Sequence, residues 1–228
     1  MCALSLGNFI KKNSPKTELL ETFDLENDQI LKVDLEGSIW TKFGAMISYT
    51  GDVHFKREGT IVKGLSKKFK LTSKADEFPL MKAYGMGEVF LSDQGKKVSI
   101  LKLENDTVFI TGNNMLAFDA GIDFDIKFLR KMPGMLGGGL YSIKLSGTGF
   151  LAISTHKEPL VIKVTKGRPV VTDPKATVAW SGNLRQEIQV DVNLGSLIGQ
   201  PNGAEPLQMK FEGDGYVVIQ PYEEGLIR

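Results

Sequence analysis

Cysteine is all but missing from this chain. Cys2 stands alone among 228 residues, so no intramolecular disulfide can form, and a reducing cytoplasm fits best. Histidine is nearly as scarce: His54 and His156 are too few to build a zinc site by themselves. There is no surplus of charge, since 28 Lys and Arg face 27 Asp and Glu for a net +1. Nonspecific binding to nucleic acid draws on such a surplus, so a general polyanion binder is excluded, although a local basic patch is not. No apolar run reaches the length of a membrane-crossing helix, because Gly, Lys or Asp interrupts each one. The opening MCALSLGNFIKKN is no secretory signal: its lysines follow a short apolar run, and no small-residue cleavage site comes after. No Gly-x-Ser-x-Gly elbow is present to suggest a hydrolase.

Glycine, by contrast, is plentiful, and it is patterned. Three Gly-x-Gly steps each run straight into alternating apolar residues: GMGEVFLS at 85–92, SGTGFLAIS at 146–154 and GDGYVVIQ at 213–220. A dinucleotide-binding loop needs a third glycine and a following helix. Here β-branched and aromatic residues follow, so the steps are expected to bend strands at sheet corners. The period is two throughout. Tyr141, Ile143 and Leu145 alternate with Ser142, Lys144 and Ser146, and Leu207, Met209 and Phe211 repeat the arrangement.

Setting Gly85 on Gly147 extends the match. Gly87 meets Gly149, Val108 meets Val170, and LAF at 116–118 meets VAW at 178–180. A one-residue slip is needed near residues 100–103. Such a match indicates duplication. A third copy is expected to be split, with 207–228 completing the half at 28–59, where Met46 to Tyr49 align with Met115 to Phe118. The sequence therefore predicts an all-β chain of three fused, pseudo-threefold β-sandwich units, closed by pairing of its N- and C-terminal strands. Residues 1–27 form a lead and 28–228 one domain, with the other repeats at 79–128 and 139–192.

These Gly-x-Gly repeats, with GAMISYTGDV at 44–53, the glycine-rich connector at 131–139 and the LAF and VAW strands, resemble the altered-inheritance-of-mitochondria, or mitochondrial-biogenesis, family. The resemblance covers residues 30–220. It implies a fold like three fused subunits of the tryptophan RNA-binding attenuation protein, a small β-sandwich that assembles into rings. Bacterial members are soluble, and fungal relatives are associated with organisation of the mitochondrial inner membrane. The family supplies no catalytic residues to carry over.

Candidate chemistry is sparse. Asp119, Asp123 and Asp125 are close enough in sequence to raise a Ca²⁺ or Mg²⁺ site. Alternation argues against it, because Ile122, Phe124, Ile126 and Phe128 fill one face and leave Asp123 and Asp125 on the solvated one. Neither a catalytic residue nor a metal or other cofactor is expected. Three connectors carry apolar residues beside glycine, and Met132, Met135, Leu136, Leu140, Leu197 and Ile198 are the candidates for partner or membrane contact. Lys67, Lys68 and Lys70, around Phe69, are the candidates for contact with single-stranded RNA, although a solvated face is the favoured reading. The expectation is a cytoplasmic, non-catalytic homo-oligomer, a trimer or larger, that binds an unidentified protein. Single-stranded RNA binding and membrane association are the alternatives, with nucleic acid disfavoured by the charge balance.

Overall fold

The computed structural model describes residues 5–15, 21–57, 80–128, 141–190 and 207–224. The chain is nearly all β. Among the described residues one short helix, α1 (Leu6–Asn13), precedes fourteen strands. They are β1 (Phe23–Asn27), β2 (Ile30–Lys42), β3 (Met46–Lys56), β4 (Leu80–Leu91), β5 (Lys97–Thr111), β6 (Met115–Asp119) and β7 (Asp123–Phe128). There follow β8 (Tyr141–Thr155), β9 (Leu160–Val164), β10 (Val170–Thr172), β11 (Thr177–Ser181), β12 (Arg185–Val190), β13 (Leu207–Glu212) and β14 (Gly215–Ile219). No helix among the described residues is long and apolar enough to cross a membrane.

The pairing falls into three strand groups, each with its central strands flanked on both sides. β4 lies between β2 and β3; β8 lies between β5 on one side and β6 and β7 on the other. In the last group β14 lies between β9 and β11, and β13 between β10 and β12. Successive groups are joined by β2 against β6 and by β5 against β11.

The register shows that the central strands turn a corner. Lys42 pairs with Leu80, whereas Met46 pairs with Leu91 at the other end of β4. A straight strand of that length spans about 35 Å, yet the link from residue 42 to 46 reaches roughly 14 Å at most. β4 must therefore fold back on itself, and it does so at Gly85 and Gly87, whose φ values of 126° and 153° suit glycine. β8 meets the same constraint, with Thr111 on Ser142 and Met115 on Ile153, and bends at Gly147 and Gly149.

Three flanking strands, β3, β6 and β11, carry the same defect. The register shifts between Met46 and Ser48, between Met115 and Ala117, and between Thr177 and Ala179. The slip noted in sequence near residue 100 also has a cause. β5 bulges between Glu104 and Asp106, where Asn105 adopts a left-handed φ of 64°.

Alternation fills the interior. Leu31, Val33 and Leu35 of β2 pack with Val89 and Leu91 of β4; Phe118, Ile143, Leu145 and Leu151 pack around β8; Trp180, Phe211 and Val217 pack in the last group.

Two expectations need correction. The chain ends do not close on each other: β14 pairs with β9 and β11, and β13 with β10 and β12, not with β1 to β3. The sequence match between 46–49 and 115–118 reflects equivalent flanking strands, so it never required the C-terminal strands to complete that half. Among the described residues the larger sheet ends in β3 and β9, and β10 is an edge of the smaller one. The end of the expected lead is also part of the sheet, since β1 pairs with β2.

Candidate functional site: a buried charge network at one end of the sheets

The densest cluster of titratable groups gathers where several strands end. After β4, the turn 92–96 places Gln94 and Gly95 at positive φ (53° and 71°), and the Lys96 amide donates back to the Asp93 carbonyl at 2.9 Å. This folds Asp93 and Lys96 onto the same side. The link between β5 and β6 contributes Asn113 and Asn114. The end of β8 contributes Ser154 and His156, and the residues after β14 contribute Gln220, Tyr222 and Glu224.

The charges alternate. Lys42 Nζ lies 2.8 Å from Asp93 Oδ2, and Lys96 Nζ lies 3.4 Å from the same oxygen and 2.5 Å from Glu224 Oε1. Both ammonium groups also donate to the Asn113 carbonyl, at 2.9 and 3.3 Å. Ser154 Oγ donates to Asp93 Oδ2 at 2.6 Å. Gln220 joins the far side: its Oε1 accepts from the His156 amide at 2.8 Å and from Asn114 Nδ2 at 3.4 Å, while its Nε2 donates to Glu224 at 3.2 Å. The His156 ring stacks on Tyr222 at 3.7 Å, with its Nε2 3.6 Å from Glu224 Oε1.

Two ammonium groups and two carboxylates leave this cluster neutral, and burial is tolerable only because each charge has a partner. Burial pushes the Asp93 carboxyl up, but the Lys42 charge, hydrogen bonds from Lys42 and Ser154, and the Lys96 charge hold it below its ordinary value. Burial likewise depresses Lys42, with Asp93 offsetting part of the effect. A carboxylate held ionised, accepting from Lys42 and Ser154 and ion-paired with Lys96, is a poor proton acceptor at neutral pH. Geometrically the arrangement clamps five stretches of chain together.

Met132, Met135, Leu136, Leu140, Leu197 and Ile198 fall outside the described residues, as do Lys67, Lys68 and Lys70. Asp119, Asp123 and Asp125 are not gathered into a site. Asp119 Oδ2 accepts from the Phe150 amide at 2.6 Å, and burial raises its carboxyl above the ordinary value despite that bond. Asp125 pairs with Lys127 at 2.5 Å on the outer face. No group of three His, Cys, Asp or Glu among the described residues could hold a metal. His54 sits on an exposed strand face beside Asp52 (3.1 Å) and Tyr84. Of the two histidines, His156 enters the cluster.

Sequence reasoning missed Lys42, Asp93, Lys96, Asn114, Ser154, Gln220 and Glu224. A local trace existed in SDQGKK at 92–97, an Asp–Gly turn inside an otherwise apolar pattern. The partners, however, come from turns and strand ends far apart in the chain.

Comparison with known proteins bears on this architecture. No curated protein matches the chain at a significant level. A crystal structure of a Streptococcus pyogenes protein, a structural-genomics target, superposes with a TM-score of 0.69 at 22% identity, covering 89% of this chain and 93% of that one. At that identity the likeness establishes the fold. The family model for mitochondrial biogenesis AIM24 matches residues 23–222, from β1 to just beyond β14. This chain belongs to the mitochondrial biogenesis AIM24 family.

Proposed function

We propose that this protein is a non-catalytic scaffold or binding module of the cytoplasm, built from one β unit used three times and acting as a homo-oligomer. The units run from β2 to β4, from β5 to β8 and from β9 to β14. One observation carries the reading: the cluster that would be the natural catalytic candidate spends its hydrogen bonds and charges on holding chain segments together. What is left for recognition is a rigid β framework with its connectors.

The test is crosslinking in native cells, recovery of the protein, and identification of bound protein, lipid and RNA, alongside light scattering at several salt concentrations. The expected result is a specific protein partner and an oligomer whose size is insensitive to salt. Salt-sensitive RNA recovery, lost when Lys67, Lys68 and Lys70 are changed to Glu, would replace this reading with RNA binding.

One feature favours membrane contact as a second reading. α1 is capped by Ser5, buries none of its residues, and exposes Leu6, Phe9 and Ile10 with Lys11 and Lys12 in its last turn. Such a helix suits a lipid interface. Lipid recovered in the same experiment, and lost on Phe9→Glu, would support it.

A further inference from the structure

The three strand groups meet at two junctions, and both are built alike. At the first, Trp40 of β2 pairs with Phe118 of β6; at the second, Phe109 of β5 pairs with Trp180 of β11. Both pairs stack, with ring centroids 6.5 and 5.3 Å apart and planes at 22° and 5°. Phe118 and Trp180 are 0% and 2% exposed.

The pairing register names the third pair. On the central strands, Trp40 stands opposite Lys82, Phe109 opposite Lys144, and Val171 of β10 opposite Lys210. On the other side, Phe118 stands opposite Leu151, Trp180 opposite Val217, and Tyr49 of β3 opposite Val89. Val171 is thus the counterpart of Trp40 and Phe109, and Tyr49 the counterpart of Phe118 and Trp180. Among the described strands β3 and β10 are not paired with each other. Tyr49 is 46% exposed and Val171 48%, with Met46 and Ile47 exposed beside Tyr49.

Within the stretches that would pair neither edge is blocked, although β10 is three residues long and flanked by Pro169 and Pro174. Edge strands usually discourage pairing with lysine, proline or an inward charge. Met46 to Thr50 and Val170 to Thr172 contain no charged residue and no proline.

We infer that β3 of one copy pairs with β10 of a second copy, antiparallel, with Tyr49 opposite Val171 and Ser48 opposite Thr172, reproducing the internal junctions. This rests on the homo-oligomeric reading above and gives it a surface. The contact is head-to-tail, because its two sides differ, so each chain offers one donor edge and one acceptor edge.

That asymmetry makes the test decisive. Sedimentation velocity would be run on the full chain, on Tyr49→Lys, on Val171→Lys and on an equimolar mixture of the two variants. Each variant spoils one edge, so each alone should associate at least tenfold more weakly than the parent. In the mixture the intact β10 of Tyr49→Lys meets the intact β3 of Val171→Lys, and a two-chain species should return and grow no further. Unchanged circular dichroism and unfolding midpoint would verify folding, and Ile47→Lys with Val170→Lys provides a second pair. Association surviving both single variants would overturn this interface while leaving the oligomer in place. A parent chain that stays monomeric at every concentration would overturn the oligomer as well.

Discussion

At the scale of single residues, two glycines separate backbone strain from collision. Gly85 and Gly147 hold nearly the same φ, 126° and 125°, at equivalent corners. A Cβ on Gly85 would lie 2.0 Å from the Asp52 carbonyl oxygen, whereas one on Gly147 meets nothing within 4 Å. Gly147→Ala should therefore cost about 1–3 kcal/mol, the strain of the left-handed backbone alone. Gly85→Ala should cost at least about 2 kcal/mol more, because strand β3 must move away. Urea midpoints of the two variants give the comparison directly. The presence of a bend at these positions was legible from Gly-x-Gly running into alternating apolar residues. The difference between them was not, because it depends on whether another strand lies across the corner.

At the scale of elements, equivalent aromatic positions should behave unequally. Trp180 is buried between Phe109 (5.3 Å) and Phe211 (5.4 Å) at a closed junction. Trp180→Ala should cost about 3–5 kcal/mol, as large truncations in packed interiors do. Tyr49 occupies the matching place on an open edge, with one aromatic neighbour, Phe55, at 5.5 Å. In dilute solution, where chains stand alone, Tyr49→Ala should cost less than about 1 kcal/mol. Thermal unfolding of both variants at low protein concentration distinguishes the two. Strand identity was legible from period-two alternation, and the correspondence of Met46–Tyr49 with Met115–Phe118 survives as a shared bulge. Which strand lies beside which was not legible, and the sequence match misled on that point. Alternation fixes the face a residue points to, while lateral neighbours depend on where long corner-turning strands end up.

At the scale of the whole molecule, the charge network ties β2, the β4–β5 turn and the segment after β14 together, so its protonation should weaken the fold as a unit. The sign follows from Asp93, whose folded carboxyl lies below the ordinary value of 3.8. Between those two values the unfolded chain binds more protons, so stability falls as pH drops through that window. Asp119 lies above 3.8 in the folded chain and acts in the opposite sense. Asp93→Asn should lower stability at neutral pH by on the order of 3 kcal/mol, by stripping two lysines of a partner, and flatten the acid limb. Asp119→Asn should steepen it. Urea denaturation from neutral pH down into the acid range measures both. None of this cluster could be assembled from sequence, because Lys42, Asp93 and Glu224 share no local pattern. The corner-turning strands have a mechanical corollary. In an ordinary sandwich the two layers adhere only through side chains and can shear past one another. Here β4 and β8 belong to both layers, so a pull on one face is borne through peptide bonds to the other, and the body resists delamination as a folded plate does.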